Sequence, residues 1–374
     1  MAIYKIFPEK DSTIYSEFPT MNTGLDEILE VSTFYDTTSP EVSRYLVKFS
    51  QTEIEDILNN KIGTSSFQTN LRLFIANISG INSDTTLEIY PISGSWNMGT
   101  GKYSNSPITT NGVSWRSRLS LDTGNWPTIY SEYVTASYSG SNTGGGTWYT
   151  GSSLGLNITQ SQILNYSNDK DINVNVTNTI LNWYSASEGG FTNDGFIVKQ
   201  SEADEFIADT NYVTNIKYFS VDTHTIYPPQ LEFKWVDYSF NTGSSALSTV
   251  STSDIVVALG NNKNEYRLSS VEKIRVNCRP TYPTRVFQTS SIYSTNYYLP
   301  TSSYYAVKDL DTNEFVIDFD STYTQISADS EGNYFTLYMN GLEPERYYQI
   351  LIKVEINGEV LILDNDYYFK VING

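Results

Sequence analysis

The chain has 374 residues and a mass of 42.2 kDa, which corresponds to two or three domains at about 150 residues each. Only 17% of the residues are charged, and Tyr, Ser, Thr and Asn are abundant, so the composition favours strands and turns and argues against a long helical bundle or coiled coil. A net charge of −19 without any basic block disfavours binding to nucleic acid or to an anionic membrane surface.

Cysteine and histidine are too scarce in this chain for most metal and disulfide chemistry. Cys278 is the only cysteine, which excludes an intrachain disulfide and a cysteine-based zinc site. His224 is the only histidine, which excludes sites with two or more histidine ligands. We therefore expect no metal and no cofactor. The first residues lack the pattern of a signal peptide, and no apolar run is long enough to span a membrane, so we expect synthesis in a cytoplasm and no membrane partner.

The beginning of the chain consists mainly of short strand patterns. Runs of β-branched, aromatic and aliphatic residues, bounded by Ser, Asn and Gly, predict strands at residues 3–7, 13–15, 45–49, 70–75 and 87–90. Helix patterns are rare, and they are found at residues 52–58, 159–164 and 177–183. Many short strands with few helices predict an all-β fold of the sandwich or barrel class.

Residues 96–154 differ from the rest because tryptophans are interspersed with Gly, Ser, Asn and Thr. The tryptophans are Trp96, Trp115, Trp126 and Trp148, and the stretch is longer than an ordinary connecting loop. Exposed rings on polar loops suit protein contacts or stacking against sugars, so Trp115, Trp126 and Trp148 are candidate surface or ligand contacts. The alternative interpretation is that the aromatic rings hold a long loop onto the sheet.

Residues 254–374 again show strand patterns. Asn357-Gly358 lies between two apolar runs, which predicts a type I′ hairpin. Leu342, Pro344 and Tyr348 have the spacing found before the penultimate strand of fibronectin-III-like sandwiches, where the tyrosine hydroxyl closes a tyrosine corner. This part of the chain therefore resembles an immunoglobulin-like or fibronectin-III-like domain.

The first two-thirds of the chain contains an ordered set of motifs. They are Lys10-Asp11-Ser-Thr-Ile14-Tyr-Ser, Pro19-Thr-Met-Asn22-Thr-Gly24, Leu29-Glu-Val31, Ser43-Arg44-Tyr45-Leu46-Val47-Lys48-Phe49, Asn70-Leu71-Arg72-Leu73, Trp96-Asn97-Met98-Gly99-Thr100-Gly101, Gly112-Val113-Ser114-Trp115-Arg116, Asp171-Ile-Asn-Val-Asn-Val-Thr with Trp183, Asn193-Asp-Gly195-Phe-Ile-Val-Lys199, and Phe219-Ser220 with Tyr227-Pro228-Pro229-Gln230-Leu231-Glu232. In this order they resemble DNRLRE-type β-sandwich domains over residues 1–236.

The two resemblances define the predicted fold class and domain organisation. The fold is all-β, with a jelly-roll-like β-sandwich followed by an immunoglobulin-like β-sandwich. The first sandwich covers residues 1–237 and carries the Trp-, Gly- and Ser-rich insertion at 96–154. A linker at 238–253, rich in small polar residues, leads to the second sandwich at 254–374.

The resemblance to DNRLRE-type domains also implies a class of function. Such modules are found in extracellular polysaccharide-associated proteins and in virion proteins of tailed bacteriophages. Because no export signal precedes the first strand, we expect a structural virion protein that assembles in the host cytoplasm and acts by docking, without catalysis. Its expected partners are other virion proteins, in several copies per particle, at the neck, tail, baseplate or capsid exterior.

Two other classes of function stay open. A carbohydrate-binding module for attachment to a host-surface glycan would use Trp115, Trp126 or Trp148 as stacking platforms. A polysaccharide-degrading enzyme would need two carboxylates in a cleft, and Asp318 and Asp320 are expected to share one face of a strand.

Three further polar residues are candidates for nucleophilic catalysis, and one acidic motif is a candidate for calcium binding. Asp222 and His224 are expected on one face of a strand and Ser220 on the other, with no nucleophile-elbow motif to complete a catalytic triad. The run from Asp309 to Asn313 begins like an EF-hand loop, but its sixth position is Glu314 in place of glycine. We therefore expect a hairpin turn there and a non-catalytic His224.

Overall fold

The computed structural model describes residues 2–35, 40–81, 84–121, 123–126, 134–135, 144–151, 157–185, 190–207, 213–284 and 295–373. Strand accounts for 46% of the structure and helix for 7%. Its sheets are mainly antiparallel, as in a β-sandwich. The predicted all-β sandwich class is therefore confirmed.

The helices are short and the strands follow one another along the whole chain. The helices are α1 (Gln51–Asp56), which continues into a π-helical turn (Ile57–Ile62), α2 (Thr177–Tyr184) and α3 (Glu202–Glu205). The strands are β1 (Ala2–Ile6), β2 (Pro8–Tyr15), β3 (Ile28–Tyr35), β4 (Pro40–Phe49), β5 (Phe67–Leu73), β6 (Ile75–Ser79), β7 (Thr85–Pro91), β8 (Ser117–Ser120), β9 (Thr123–Asn125), β10 (Val134–Thr135), β11 (Trp148–Tyr149), β12 (Gln160–Leu164), β13 (Ile172–Asn175), β14 (Phe196–Gln200), β15 (Val213–Phe219), β16 (Gln230–Trp235), β17 (Ile255–Leu259), β18 (Glu265–Arg267), β19 (Val271–Pro280), β20 (Ser303–Asp309), β21 (Phe315–Ile317), β22 (Ser327–Asp329), β23 (Gly332–Tyr338), β24 (Tyr347–Ile356), β25 (Glu359–Leu363) and β26 (Tyr368–Ile372).

The helix predictions have different outcomes in the structure. Residues 52–58 and 177–183 are helical, as α1 with its π-helical turn and as α2. The prediction for 159–164 is wrong, because this segment is β12, which pairs with β7 in the antiparallel register Gln160↔Ile89. A short apolar run fits either a helix or a strand, and here pairing with a distant strand decides.

The chain forms two compact units. The N-terminal unit contains Ile6–Gly63 and Gln68–Glu232, and the C-terminal unit contains Met1–Lys5, Thr64–Phe67 and Phe233–Gly374. Three of the four boundaries between them fall within β1, β5 and β16, and the fourth follows the π-helical turn, so both units are built from separate stretches of the chain.

The N-terminal unit is built around an eight-stranded sheet of order β12-β7-β14-β4-β3-β15-β6, in which β2 also pairs with β4. Strands that are distant in sequence are neighbours, as in a jelly-roll-like sandwich: β14 lies between β4 and β7, and β15 lies beside β3. β4 is buried along most of its length, because both faces of the sheet are covered. On one face Trp183 of α2 packs against Phe196 of β14, with ring centroids 4.7 Å apart.

The other face of this sheet is covered by the Trp-rich insertion. Its four tryptophans form a buried cluster together with Leu46 of β4 and Ile197 of β14. Trp96 donates a hydrogen bond from Nε1 to the carbonyl oxygen of Asp194 (2.8 Å), and Trp126 donates one to that of Ser114 (3.0 Å). Each buried indole therefore has a partner for its polar atom where its ring packs on the sheet.

The C-terminal unit is an immunoglobulin-like sandwich. One sheet has the order β17-β19-β23-β22, and the other has the order β18-β26-β24-β20-β21, with β25 paired to β24. In chain order the first sheet corresponds to strands A, B, E and D of an immunoglobulin domain, and the second contains strands C, F and G. Tyr305 and Phe335 stack between the sheets at a centroid distance of 4.2 Å, within one hydrophobic core.

The predicted tyrosine corner and type I′ hairpin are both present. The hydroxyl of Tyr348, at the start of β24, donates a hydrogen bond to the backbone carbonyl oxygen of Glu343 (3.1 Å). Asn357 and Gly358 form the two-residue loop between β24 and β25 with φ angles of 52° and 81°, the left-handed values that a type I′ turn requires.

Residues 238–253, for which a linker was predicted, are hydrogen-bonded within the C-terminal unit. Asn241 donates its backbone N–H to the carbonyl oxygen of Ala328 (3.0 Å), and Val250 donates to that of Tyr298 (2.9 Å). Val250 also belongs to the hydrophobic core of this unit. The small polar residues thus accompany irregular backbone that is attached to the sandwich.

Replacing Tyr348 by phenylalanine tests the tyrosine corner. The variant keeps the buried ring but loses the hydroxyl that satisfies the Glu343 carbonyl, so we expect the free energy of unfolding to fall by about 1–2 kcal/mol. Urea unfolding followed by fluorescence measures this change. The matched control is Tyr347→Phe, because the Tyr347 side chain at the neighbouring position is half-exposed. We expect this substitution to change the free energy of unfolding by less than about 0.5 kcal/mol. Equal effects of the two substitutions would contradict a stabilising corner.

Candidate functional site

The three tryptophans predicted as surface or ligand contacts lie inside the N-terminal unit. Trp115, Trp126 and Trp148 are each only 2% exposed. Stacking against a sugar needs an accessible ring face, so their burial corrects the expectation that these rings form a platform. Their packing fits the alternative interpretation, in which the aromatic rings hold the insertion onto the sheet.

A buried charged cluster lies under these tryptophans. The guanidinium of Arg44 in β4 binds both carboxylate oxygens of Glu205 in α3, at 2.8 and 2.6 Å, and donates a third hydrogen bond to the carbonyl oxygen of Gly145 (2.7 Å). Its Cζ lies 4.9 Å from the ring centroid of Trp115 and 5.4 Å from that of Trp148. Arg44 and Glu205 are fully buried, so the cluster connects chain segments and is closed to a ligand.

The hydroxyl of Ser220, the candidate nucleophile, is engaged in backbone hydrogen bonds of a turn. Ser220, Asp222 and His224 follow β15 in a turn, not in the strand that the sequence predicted. The hydroxyl of the buried Ser220 donates a hydrogen bond to the carbonyl oxygen of Asp26 (2.6 Å), and it accepts one from the backbone N–H of Asp222 (3.1 Å). His224 is exposed to solvent. Ser220 therefore has a structural role in fixing this turn.

The acidic motif at 309–313 is a hairpin turn between β20 and β21, as expected. One carboxylate oxygen of Asp309 accepts hydrogen bonds from the backbone N–H groups of Asp311 and Thr312, both at 2.9 Å. Arg346 binds both carboxylate oxygens of Asp309, at 2.6 and 2.7 Å. This carboxylate is thus fully engaged by the chain's own donors.

The predicted carboxylate pair of a glycosidase is also engaged in local turns. Asp318 and Asp320 lie beyond the end of β21, so they do not share a strand face as the sequence predicted. Asp318 accepts a hydrogen bond from the backbone N–H of Phe319 (2.7 Å), and Asp320 accepts those of Thr322 and Tyr323. Both carboxylates are therefore hydrogen-bonded to backbone N–H groups of their own turns.

Within the described ranges, no three His, Cys, Asp or Glu side chains are grouped closely enough to hold a metal ion. None of the helices in that part of the chain has the length and apolar character needed to cross a membrane.

An open groove of about 670 Å³ lies in the N-terminal unit, and we call it the acidic groove. It is lined by aromatic, acidic, basic and neutral polar side chains. The lining residues are Tyr15, Glu17, Asp26, Glu27, Ile28, Glu30, Phe34, Lys102, Tyr103, Ser104, Asn215 and Lys217.

One wall of the acidic groove is formed by β3 and β15. These strands are antiparallel, with Glu30 opposite Lys217 and Ser32 opposite Asn215. Because side chains alternate along a strand, Glu30, Phe34, Asn215 and Lys217 project from the same face of the sheet. The Lys217 ammonium lies 3.6 Å from the Glu30 carboxylate, and the Asn215 side-chain amide donates a hydrogen bond to Glu30 (2.7 Å).

The opposite wall comes from the insertion and is attached to the loop after β2. Tyr103 donates its backbone N–H to both carboxylate oxygens of Asp26, at 3.1 and 3.0 Å, and Lys102 lies 3.5 Å from Glu27. The ring of Tyr103 is 50% exposed and meets the ring of Tyr15 edge-on at a centroid distance of 5.2 Å. The wall thus presents an aromatic ring beside carboxylates.

The electrostatics of the acidic groove are dominated by the carboxylates. Burial raises the pKa of Asp26, and the charges of Glu27 and Glu30 raise it further. The hydrogen bond from the Tyr103 N–H and the charge of Lys102 act in the opposite direction and lower this pKa. Burial likewise raises the pKa of Tyr15, and the charges of Glu30 and Asp26 raise it further. Burial is the main cause of both shifts, and the contributions of the neighbouring carboxylates are those expected of a negative potential, which favours a positively charged ligand.

Sequence reasoning missed the acidic groove, because its residues come from four separate segments of the chain. The insertion itself was recognised, but attention went to its tryptophans and not to Lys102 and Tyr103. The local signal that was available is the acidic cluster of Asp26, Glu27 and Glu30 at the start of β3.

No known family profile matches the chain, and a search of curated proteins finds no similar sequence.

A buried carboxylate supports the turn that borders the groove. Asp11 of β2 is 1% exposed, and its Oδ2 accepts the backbone N–H of Val221 (2.7 Å), whereas no described atom hydrogen-bonds to its Oδ1. Burial raises the pKa of Asp11 to about 8; the Val221 hydrogen bond opposes the rise, and Asp222 adds to it. The neighbouring Ser220 holds the groove wall through its bonds to Asp26 and Glu27.

The pH dependence of stability tests the protonation of Asp11. Its pKa in the folded state lies above the unfolded value of about 3.9, so the stability contributed by the bound proton is complete below that value and is lost as the pH rises towards 8. We expect Asp11→Asn to gain stability relative to the wild type as the pH increases from 4 to 8.

Chemical denaturation across this pH range measures the difference between the two proteins. The control is Asp84→Asn, a substitution at an exposed position, for which we expect a difference that stays within about 0.5 kcal/mol at every pH. A pH-independent difference between wild type and Asp11→Asn would contradict a neutral, buried Asp11.

Proposed function

We propose that the chain is a structural protein of a tailed-phage virion that acts by docking to other virion proteins and catalyses no reaction. The ordered motifs of residues 1–236, which resemble DNRLRE-type domains of such virions, support this assignment. A pair of β-sandwiches is also the kind of rigid framework that presents loops and edges to partners.

The acidic groove is the observation that carries the docking function. Its walls combine aromatic rings, which are enriched at protein interfaces, with carboxylates and a side-chain amide that can pair with complementary groups of a partner. Tyr103 provides contact area at low conformational cost, because its side chain has only two rotatable torsions. The groove lies on a sheet whose covering segments are joined by a buried charged cluster. The recognition groups of the groove therefore keep fixed positions for a partner.

Several copies per particle are part of the proposal, at the neck, tail, baseplate or capsid exterior. The net charge of −19 gives long-range repulsion between copies and attraction to basic surfaces. Assembly in the host cytoplasm would bring the chain to its partners before lysis.

Immunogold labelling of intact phage particles tests the structural role. We expect gold at one fixed site on every particle, because a structural protein occupies a defined position in each virion. Labelling with an antibody against an unrelated cytoplasmic host protein is the control. Absence of gold on permeabilised particles, together with free protein in the lysate, would refute the virion assignment.

Glycan binding is the second candidate function, and the exposed ring of Tyr103 favours it. A tyrosine ring can stack on a sugar ring, and the carboxylate and amide oxygens beside it can accept hydrogen bonds from the sugar hydroxyls. Under the docking proposal, we expect no signal when the protein is applied to an array of bacterial surface glycans. Binding that is lost in Tyr103→Ala would instead support attachment to a host glycan.

A further inference from the structure

Carboxylates in the acidic groove exceed the cations that lie beside them. Glu17, Asp26, Glu27 and Glu30 face two lysines, each of which pairs with one carboxylate: Lys102 with Glu27 and Lys217 with Glu30. In the described part of the chain, Glu17 and Asp26 take part in no ion pair. With four carboxylates and two lysines in its lining, the groove has a net negative charge.

Acidic side chains alone would not mark a binding site, and the half-exposed ring of Tyr103 is the second feature. The ring packs against those of Tyr15 and Phe18. Burial, and after it the charges of Glu17, Glu30 and Glu41, raise the pKa of the Tyr103 hydroxyl, so these carboxylates lie close to the ring. An aromatic ring next to carboxylates attracts a cation in two ways, through its π electrons and through the neighbouring negative charge.

The C-terminal unit contains an internal example of such an arrangement. The ammonium of Lys273 lies 3.8 Å from the ring centroid of Tyr334 and 2.8 Å from a carboxylate oxygen of Asp329. One lysine is thus held by a tyrosine ring and an aspartate at the same time. In the acidic groove, the Tyr103 ring and the Glu17 carboxylate are in place, and none of the described cations lies over this ring or pairs with Glu17.

The size of the recess selects the kind of cation. A volume of about 670 Å³ is within the range of sites that enclose small organic groups and far exceeds that of a bare ion. A lysine or arginine side chain brings an apolar stem that can pack against Phe34 and Ile28, and a charged end for the carboxylates.

From these contacts we infer that the acidic groove binds a lysine- or arginine-bearing segment of another protein. This inference rests on the proposed function, because it names the chemistry of the virion partner that the chain docks to. The carboxylates of Glu17 and Asp26 receive the charged ends, and the Tyr103 ring covers one of them. The overall negative charge attracts the segment from a distance, and the groove determines where it binds.

Fluorescence anisotropy on the full-length chain tests the inference. The probe is a fluorescein-labelled peptide of alternating glycine and arginine, and its negative control is the same peptide with glutamate in place of arginine. We expect the wild type to bind the arginine peptide and not the glutamate peptide, with weaker binding at high salt because ions screen the charges.

Matched variants separate binding in the groove from general attraction to an acidic protein. The groove variant combines Glu17→Gln with Asp26→Asn, and the control variant combines Asp84→Asn with Glu359→Gln at exposed positions elsewhere, so each removes two negative charges. We expect the groove variant to bind the arginine peptide about tenfold more weakly and the control variant to bind within about twofold of the wild type. Tyr103→Ala, which changes no charge, is expected to weaken binding about threefold.

Thermal melting of all variants verifies that each is folded before binding is compared. Equal losses in the groove and control variants, or no binding by the wild type, would overturn the inference. Particle labelling in the absence of a groove-specific effect would refute the inference while leaving the virion role intact. A groove-specific effect without particle labelling would support the binding of a basic segment in the groove and refute the virion role.

Discussion

The ion pair between Arg44 and Glu205 is the interaction on which the N-terminal unit depends. Both side chains are fully buried, so each loses its hydration, and a cost of several kcal/mol per ion must be offset by the contacts they make. Arg44 makes these contacts with three parts of the chain: Glu205 of α3, the carbonyl oxygen of Gly145, and the rings of Trp115 and Trp148. Removing either charge would leave the other unpaired in the interior, at a typical cost of about 3–5 kcal/mol.

The same pair explains local features of the insertion. A second cation, Lys199, lies 3.7 Å from Glu205 and 3.1 Å from the partly exposed Glu88, so the cluster has two cations and two carboxylates. Gly145 has a φ angle of 83°, and a Cβ atom there would lie 2.7 Å from both Arg44 and Trp115. Only glycine fits at this point, which gives a physical reason for glycine in a stretch that looks, by composition alone, like a flexible linker.

Features determined by neighbouring residues were predictable from the sequence, and those determined by distant contacts were not. The Asn357-Gly358 turn and the tyrosine corner of Tyr348 depend on a few adjacent residues, so the spacing of these residues was sufficient to predict both features. The burial of the tryptophans depends on Arg44 and on a sheet face assembled from strands far apart in the chain. The acidic groove likewise requires the register that places Glu30 opposite Lys217, which no local pattern specifies.

In the proposed docking function, the insertion contributes directly through its wall of the groove, and its tryptophans contribute indirectly. The buried Asn22 donates hydrogen bonds to the carbonyl oxygens of Met98 (2.6 Å) and Val113 (2.9 Å) and accepts one from the N–H of Gly101 (2.8 Å), which fixes the segment that carries Tyr103. Because the tryptophans attach the described part of the insertion to the sheet, its wall of the groove is formed without a partner. A preformed wall loses little conformational entropy on binding, so the contacts made there contribute more of their energy to affinity.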